Sequence, residues 1–195
     1  MKIWMVGDSN LYGYRPGGRV SPPERWSQQL SAAFPLDDII INGKNGRKFD
    51  TEPFGHRLPD DGRTIIDRDL RDISPDLLVL QLGANDLALS IGVDVLIDGL
   101  VEAVDEWRRI CPICVILPHA DDPTDGESFG PEWLGSACAL FARELPDRLP
   151  KGTAVIATDD CPTQPYDGVH LTAEGHARLA EKMIRFVDKM KKERT

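Results

Sequence analysis

The sequence predicts an α/β protein, a three-layer α/β/α sandwich built on a five-stranded parallel sheet of strand order 2-1-3-4-5. Three observations carry this. Short apolar runs alternate along the chain with longer amphipathic stretches. The runs are continuous rather than alternating, as expected of strands covered on both faces. At 195 residues and 41% hydrophobic content, the chain is long enough to bury one substantial core as a single domain over residues 1–195.

The expected strands are 2–6, 38–42, 76–82, 113–118 and 153–157. Helical patterns fall between and after them, at 22–34, 61–73, 93–110, 131–145 and 172–191. Ser21, followed by Pro22, Pro23 and Glu24, resembles an N-cap with proline and acid in the first turn. Thr172-Ala-Glu-Gly opens the last helix with a hydroxyl cap and an early carboxylate. Successive strand–helix units need right-handed crossovers, which place helices on both faces of the sheet. In such a sheet ligands bind outside the carboxyl ends of the strands, so the loops after the strands are where chemistry is expected. Two of these loops are long, 43–60 and 119–130, and both are rich in Gly, Pro and Asp.

A net charge of −9 argues against nucleic-acid or anionic-membrane partners, which demand a concentrated basic surface. The basic tail of Lys189, Lys191, Lys192 and Arg194 is too short to reverse that. The N-terminus lacks the apolar core and cleavage site of a signal peptide, and no segment approaches the roughly 20 apolar residues of a membrane span. A soluble, cytoplasmic protein is expected. Cys111, Cys114, Cys138 and Cys161 then read as reduced, mostly buried thiols. Cys111-Pro-Ile-Cys114 opens an apolar strand, whereas redox CxxC pairs begin a helix, and no ligands of suitable spacing accompany it to hold zinc.

Four strand-end loops carry polar chemistry. The first is Gly7-Asp8-Ser9-Asn10. It contains neither GxGxxG nor GK[ST], and Pro16, Gly17 and Gly18 interrupt any immediate helix, so a phosphate cradle is disfavoured. Ser9 taken alone is equally a turn hydroxyl. Asn42-Gly43-Lys44-Asn45-Gly46-Arg47 has two glycines and can aim a backbone N–H into a cleft, or be a plain turn. Leu82-Gly83-Ala84-Asn85-Asp86 offers the Asn85 amide to a developing oxyanion, with an Asx turn as the alternative for Asn85 and as the reading of Asp86. In Asp167-Gly168-Val169-His170 a carboxylate three residues before a histidine can hold one imidazole nitrogen and leave the other to take a serine proton.

Ser, Gly, Asn and Asp/His on separate strand ends of one sheet converge as a serine hydrolase requires. With GDS near the N-terminus, glycine in the second loop, GxND in the third and DxxH before the last helix, the chain resembles the SGNH (GDSL-type) hydrolases over residues 7–170. Arg25-Trp26, Gly43-Lys44-Asn45-Gly46-Arg47 and Ser74-Pro75-Asp76-Leu77-Leu78-Val79 resemble text of the small bacterial arylesterase and acyltransferase branch. One letter departs from the pattern, Asn10, where the family usually has leucine.

The resemblance implies a flavodoxin-like SGNH hydrolase fold, with Ser9 as nucleophile, His170 as general base and Asp167 orienting it. The implied oxyanion hole comprises the backbone N–H groups of Ser9 and Gly46 with the Asn85 side chain. The implied reaction is acyl transfer from short-chain, acetyl-type esters of aryl alcohols or acylated sugars, to water or to another alcohol, with no metal or organic cofactor. His56, His119 and His176 have no role in it. Asn10, Tyr12, Tyr14 and Arg47 are expected around the substrate pocket, Arg47 either on substrate or paired with an acid of the rim. Asp8 is expected to brace the nucleophile turn through backbone N–H groups. Phe49, Phe54, Phe129 and Trp133 flank the same loops, with core packing favoured for Trp133. Members of the branch often form oligomers, so self-association is a further expectation. A ligand-binding or assembly module using the same rim without turnover is the alternative function.

Overall fold

The computed structural model describes residues 1–121 and 132–194. Five parallel strands, β1 (Lys2–Gly7), β2 (Asp38–Gly43), β3 (Leu77–Gln81), β4 (Ile113–Ile116) and β5 (Ala154–Ile156), form one sheet in the order β2-β1-β3-β4-β5. This is the 2-1-3-4-5 order read from the sequence. The α-helices are α1 (Ser9–Tyr12), α2 (Trp26–Ala33), α3 (Gly62–Ile73), α4 (Ala84–Ala88), α5 (Val93–Trp107), α6 (Leu134–Arg148) and α7 (Ala173–Glu193).

Alternation along the strands divides the core in two. Trp4 and Val6 of β1 and Leu78 and Leu80 of β3 face Ile66 and Leu70 of α3, Ile97, Leu100 and Val104 of α5, and Phe141 of α6. Ile3, Met5, Leu77 and Val79 point the other way, onto Trp26 and Leu30 of α2 and Leu179, Met183 and Val187 of α7. Both faces of β1 and β3 are therefore buried, which is why these strands read as unbroken apolar runs. All four cysteines are unpaired and buried in these layers. Burial pushes the Cys111 and Cys161 thiols up to about 11 and Cys138 to about 12, so they pack as small hydrophobes.

Several elements differ from the sequence expectation. The helix expected over 22–34 is two pieces, a 3₁₀ turn at Pro22–Glu24 and α2, because Arg25 between them is extended at φ −71°, ψ 131°. The Ser21 hydroxyl bonds the Glu24 carboxylate instead of a backbone N–H. Thr172 does cap α7, its Oγ1 accepting from Gly175 N at 3.0 Å. The helix expected from 131 begins at Leu134, Pro131 lying outside the described residues. Two single-turn helices, α1 and α4, occupy what reads as loop after β1 and β3, so a helix does follow the first strand at once, ahead of Pro16. One turn is too short to leave a periodic signal. A two-stranded hairpin, Tyr14–Arg15 against Gly18–Arg19, follows α1. Among the described residues no helix is long and apolar enough to cross a membrane.

Candidate active site

The site forms where β1, β2 and β3 end. β1 and β2 finish in register at Gly7 and Gly43, and α1 begins two residues after Gly7, with Asp8 as its N-cap. The Asp8 carboxylate accepts from Asn10 N at 2.9 Å, and its own N–H donates to Gln81 O at 3.1 Å. Burial lifts its pKa from 3.8 to about 6, against the opposing pull of the Asn10 N–H and the charges of His170 and Arg47. Gly43 allows α1 to seat this closely, since a Cβ there would lie 2.6 Å from Tyr12 N and 2.9 Å from Leu11 C.

Ser9 is the first residue of α1, and its Oγ lies 3.0 Å from His170 Nε2. On the other side of the ring, Nδ1 meets Asp167 Oδ2 at 2.7 Å. All three residues are buried. Asp167 Oδ1 also accepts from the backbone N–H groups of Val169 (2.8 Å) and His170 (2.9 Å), so one carboxylate fixes both the imidazole and its backbone. Burial raises the Asp167 pKa, but the bonds from His170 and Val169 outweigh it and hold the carboxyl below its usual value. An ionised Asp167 holds the proton on Nδ1 and leaves the Nε2 lone pair facing Ser9, an arrangement able to take the serine proton. The Tyr14 ring packs on His170 at 4.5 Å between centroids, tilted by 45°.

The β2 loop supplies the opposite wall. Gly46 sits at φ +68°, in the left-handed region that glycine adopts without strain. Ser9, Tyr14, Asn45, Gly46, Asn85 and His170 line a cavity of about 120 Å³. The GAND segment holds that loop from both sides of Lys48. Asn85 Nδ2 donates to Arg47 O at 3.0 Å, while the buried Asp86 carboxylate accepts from Phe49 N at 2.8 and 2.9 Å and from Asp50 N at 3.1 Å. Burial nevertheless pushes the Asp86 pKa from 3.8 to about 7. One donor of the Asn85 amide is thus committed to the loop, and its other N–H has no partner among the described residues.

Of the four residues expected around a substrate pocket, Tyr14 alone lines this cavity. Arg47 is buried and spends its guanidinium on carbonyls: Nη1 on Gly7 O (3.1 Å) and Asn42 O, Nε on Asp60 O (3.1 Å), with Nη2 on Asn42 Oδ1 (2.9 Å). It ties the ends of β1 and β2 together and touches neither substrate space nor a rim carboxylate. Tyr12 is held by Arg19, whose guanidinium lies 3.9 Å from the ring centroid and donates to the Tyr12 carbonyl. Asn10 points to the His170 loop, bonding Val169 O at 3.1 Å and Leu171 N at 2.9 Å.

Phe49 is core, packed edge-on to Trp107 at 6.2 Å. Phe54 is exposed, and so is Trp133 at 53%, against the core position expected for it. Phe129 lies outside the described residues. His176 is buried beneath α2 with its pKa pushed down to about 4 by burial, and His119 pairs with Asp121 at 2.9 Å. The bonds made by Asp86 and the place of Asn45 in the cavity wall are not legible in the sequence.

A family profile described as GDSL-like Lipase/Acylhydrolase matches residues 5–178. The chain belongs to the GDSL-like lipase/acylhydrolase family. As a GDSL-like hydrolase it is a carboxylic ester hydrolase. No curated protein matches it. Among solved structures it is similar to a carbohydrate acetylesterase family member from Sinorhizobium meliloti, at TM-score 0.80 and 22% identity, covering 97% of this chain and 98% of that one. It is also similar to an aryl esterase of M. smegmatis at TM-score 0.78 and 20% identity, covering 96% and 98%. A member of the lipolytic G-D-S-L family from Veillonella parvula aligns at TM-score 0.69 and 15% identity, over 95% and 97%. These likenesses establish that the hydrolase fold is shared over nearly the whole of each chain.

Proposed function

We propose that this GDSL-like hydrolase is a serine esterase that cleaves short-chain, acetyl-type esters through an acyl-enzyme. The observation that carries the reading is the run of contacts from Asp167 Oδ2 to His170 Nδ1 (2.7 Å) and from His170 Nε2 to Ser9 Oγ (3.0 Å), beside a cavity that Ser9 itself lines.

Ser9 Oγ attacks the ester carbonyl as His170 Nε2 takes its proton. The carbonyl oxygen becomes an oxyanion facing the N–H groups of Ser9 and Gly46 and the uncommitted N–H of Asn85. Collapse of this adduct breaks the bond to the alcohol oxygen, which leaves with the proton from His170. Water then enters, gives a proton to His170 and attacks the acyl carbon. The acid departs and Ser9 recovers its proton. A second alcohol in place of water would transfer the acyl group instead.

The size of the cavity favours a small acyl group. A pocket of about 150 Å³ holds a single benzene ring, so one of about 120 Å³ suits a few carbons at most. The alcohol then projects from the mouth, past Tyr14 and Asn45. Acetyl esters of aryl alcohols and of sugars both meet this description, in keeping with the printed names of the structural neighbours.

The test is turnover of a chromogenic acetate ester and of acyl homologues of rising length, by the wild type and by Ser9→Ala. Activity that falls as the chain lengthens and vanishes in Ser9→Ala is expected. Equal turnover by the two proteins refutes the assignment of Ser9, and no turnover of any ester points to the ligand-binding module. A fluorophosphonate adduct mapped to any serine other than Ser9 also refutes it.

A further inference from the structure

We propose that Asn10 is the positioning residue that sets the Ser9–His170 distance, by clamping the histidine loop to the nucleophile turn; this rests on the Ser9–His170 reading above. Ser9 and His170 are 161 positions apart in the chain, and two hydrogen bonds from one side chain join their segments. Asn10 Nδ2 donates to Val169 O at 3.1 Å, and Asn10 Oδ1 accepts from Leu171 N at 2.9 Å. The amide therefore grips the residue before His170 and the residue after it, from the position next to the nucleophile.

The backbone of residues 168–171 shows why this clamp matters. The Gly168 N–H donates to Gln164 O and its carbonyl accepts from Asp121 N, both at 2.7 Å. The N–H groups of Val169 and His170 go to Asp167. The His170 carbonyl accepts from Gln164 N at 2.7 Å, and the Leu171 carbonyl from Gln164 Nε2 at 3.2 Å. The two groups that remain, Val169 C=O and Leu171 N–H, belong to residues only 8% and 4% exposed, and Asn10 satisfies both. Among the described residues, the other backbone hydrogen bonds named here go to the loop itself or to the neighbouring 121 and 164 positions. Asn10 rides on α1, so its two bonds tie the backbone on either side of His170 to the helix that carries Ser9.

Leucine, which the family usually carries here, branches at Cγ as asparagine does but is bulkier and has neither a donor nor an acceptor. In this chain it would orphan two buried peptide groups, and the loop could satisfy them only by moving away from α1. That motion lengthens the Ser9–His170 contact, while Asn10 itself, which is not part of the cavity lining, makes no contact with the ester. The effect belongs in kcat and leaves KM nearly untouched.

Asn10→Leu and the isosteric Asn10→Asp are compared with the wild type, with Ser9→Ala in parallel. Asn10→Asp keeps the acceptor for Leu171 N–H but faces the Val169 carbonyl with a second oxygen. The readouts are kcat and KM on an acetate ester, the second-order rate of fluorophosphonate labelling, and Tm, with all assays well below the lowest Tm. Displacing a base by about 1 Å costs on the order of 100-fold, so Asn10→Leu should lose about 10- to 100-fold in kcat. KM should stay within about twofold, and labelling should slow by a similar factor because it also depends on the His170-activated serine. Asn10→Asp should lie between that variant and the wild type. If either variant folds and retains wild-type kcat and labelling rate, the proposal is overturned, even where Tm falls. If Asn10→Leu does not fold, Asn10→Asp decides on the same criteria. Full turnover by Ser9→Ala would instead refute the esterase reading on which the proposal rests.

Discussion

Asp86 provides the sharpest test of how the GAND segment works. Its carboxylate is buried and accepts two backbone N–H donors from the loop that carries Gly46, yet burial raises its pKa from 3.8 to about 7. A carboxyl whose pKa is higher in the folded than in the unfolded chain contributes stability that is complete below the unfolded value and is lost as pH rises through the folded one. Between about pH 5.5 and about pH 8.5 the folded protein therefore releases a proton that the unfolded chain has already lost, and stability falls by about 2 kcal/mol on this account. Asp86→Asn removes the titration while keeping one acceptor oxygen and the shape. Urea denaturation of both proteins at the two pH values gives the comparison, and other titrating groups cancel in the difference. With m near 2 kcal/mol/M, the wild-type midpoint should drop by about 1 M more than that of Asp86→Asn. Equal drops in the two proteins would refute the argument. Asp86→Ala should be worse at either pH, because it orphans the buried N–H groups of Phe49 and Asp50 at about 1–3 kcal/mol each.

The sheet was legible because its evidence is local and repeated. Each strand buried on both faces is an apolar run, and each crossover consumes a helix, so five runs with intervening periodicity restrict the topology severely. Boundaries were less legible. The apolar run of β3 extends to Leu82, but the ladder stops at Gln81, where the chain must turn into α4. Arg25 splits a helix pattern whose apolar spacing runs straight through it, because backbone extension at one residue leaves no trace in hydrophobic periodicity.

The candidate site divides along the same line. Ser9, Gly46, Asn85, Asp167 and His170 occupy strand-end loops, and a parallel sheet brings all such loops to one rim whatever lies between them in sequence. What the sequence conceals is which polar side chains serve those loops from a distance. Asp86 reads as an Asx turn because its own neighbours suit one, and its real partners are 36 and 37 positions back. Arg47 reads as a rim charge because it adjoins Gly46, yet the carbonyls of Gly7, Asn42 and Asp60 and the Asn42 side chain take up its fork of donors and claim it. Asn10 did leave a signal, as the one letter at odds with its block, but its meaning lies 159 and 161 residues away.

The remaining expectations concern the same rim. Asp167→Asn would place an NH₂ group against His170 Nδ1, forcing the proton onto Nε2, where it faces Ser9. Turnover should fall by about 10⁴-fold, and a steady-state kcat within tenfold of wild type would exclude that role for Asp167. Asn85→Ala removes a donor at the cavity wall and should cost about 10²- to 10³-fold in kcat. An unchanged kcat would remove Asn85 from the oxyanion site. Gly43→Ala separates close packing from conformational freedom. A methyl at Gly43 meets backbone atoms of Leu11 and Tyr12 at 2.6–2.9 Å, and β2 cannot recede because Gly43 is paired with Gly7 of β1. The strain must therefore be relieved by displacing α1 and Ser9 with it, at about 1–3 kcal/mol in stability and at least about tenfold in kcat. At Gly46, by contrast, a methyl would meet nothing within 4 Å, and the cost of Gly46→Ala comes from φ +68° alone. If Gly43→Ala retains the Tm and kcat of the wild type, α1 does not depend on the glycine beneath it.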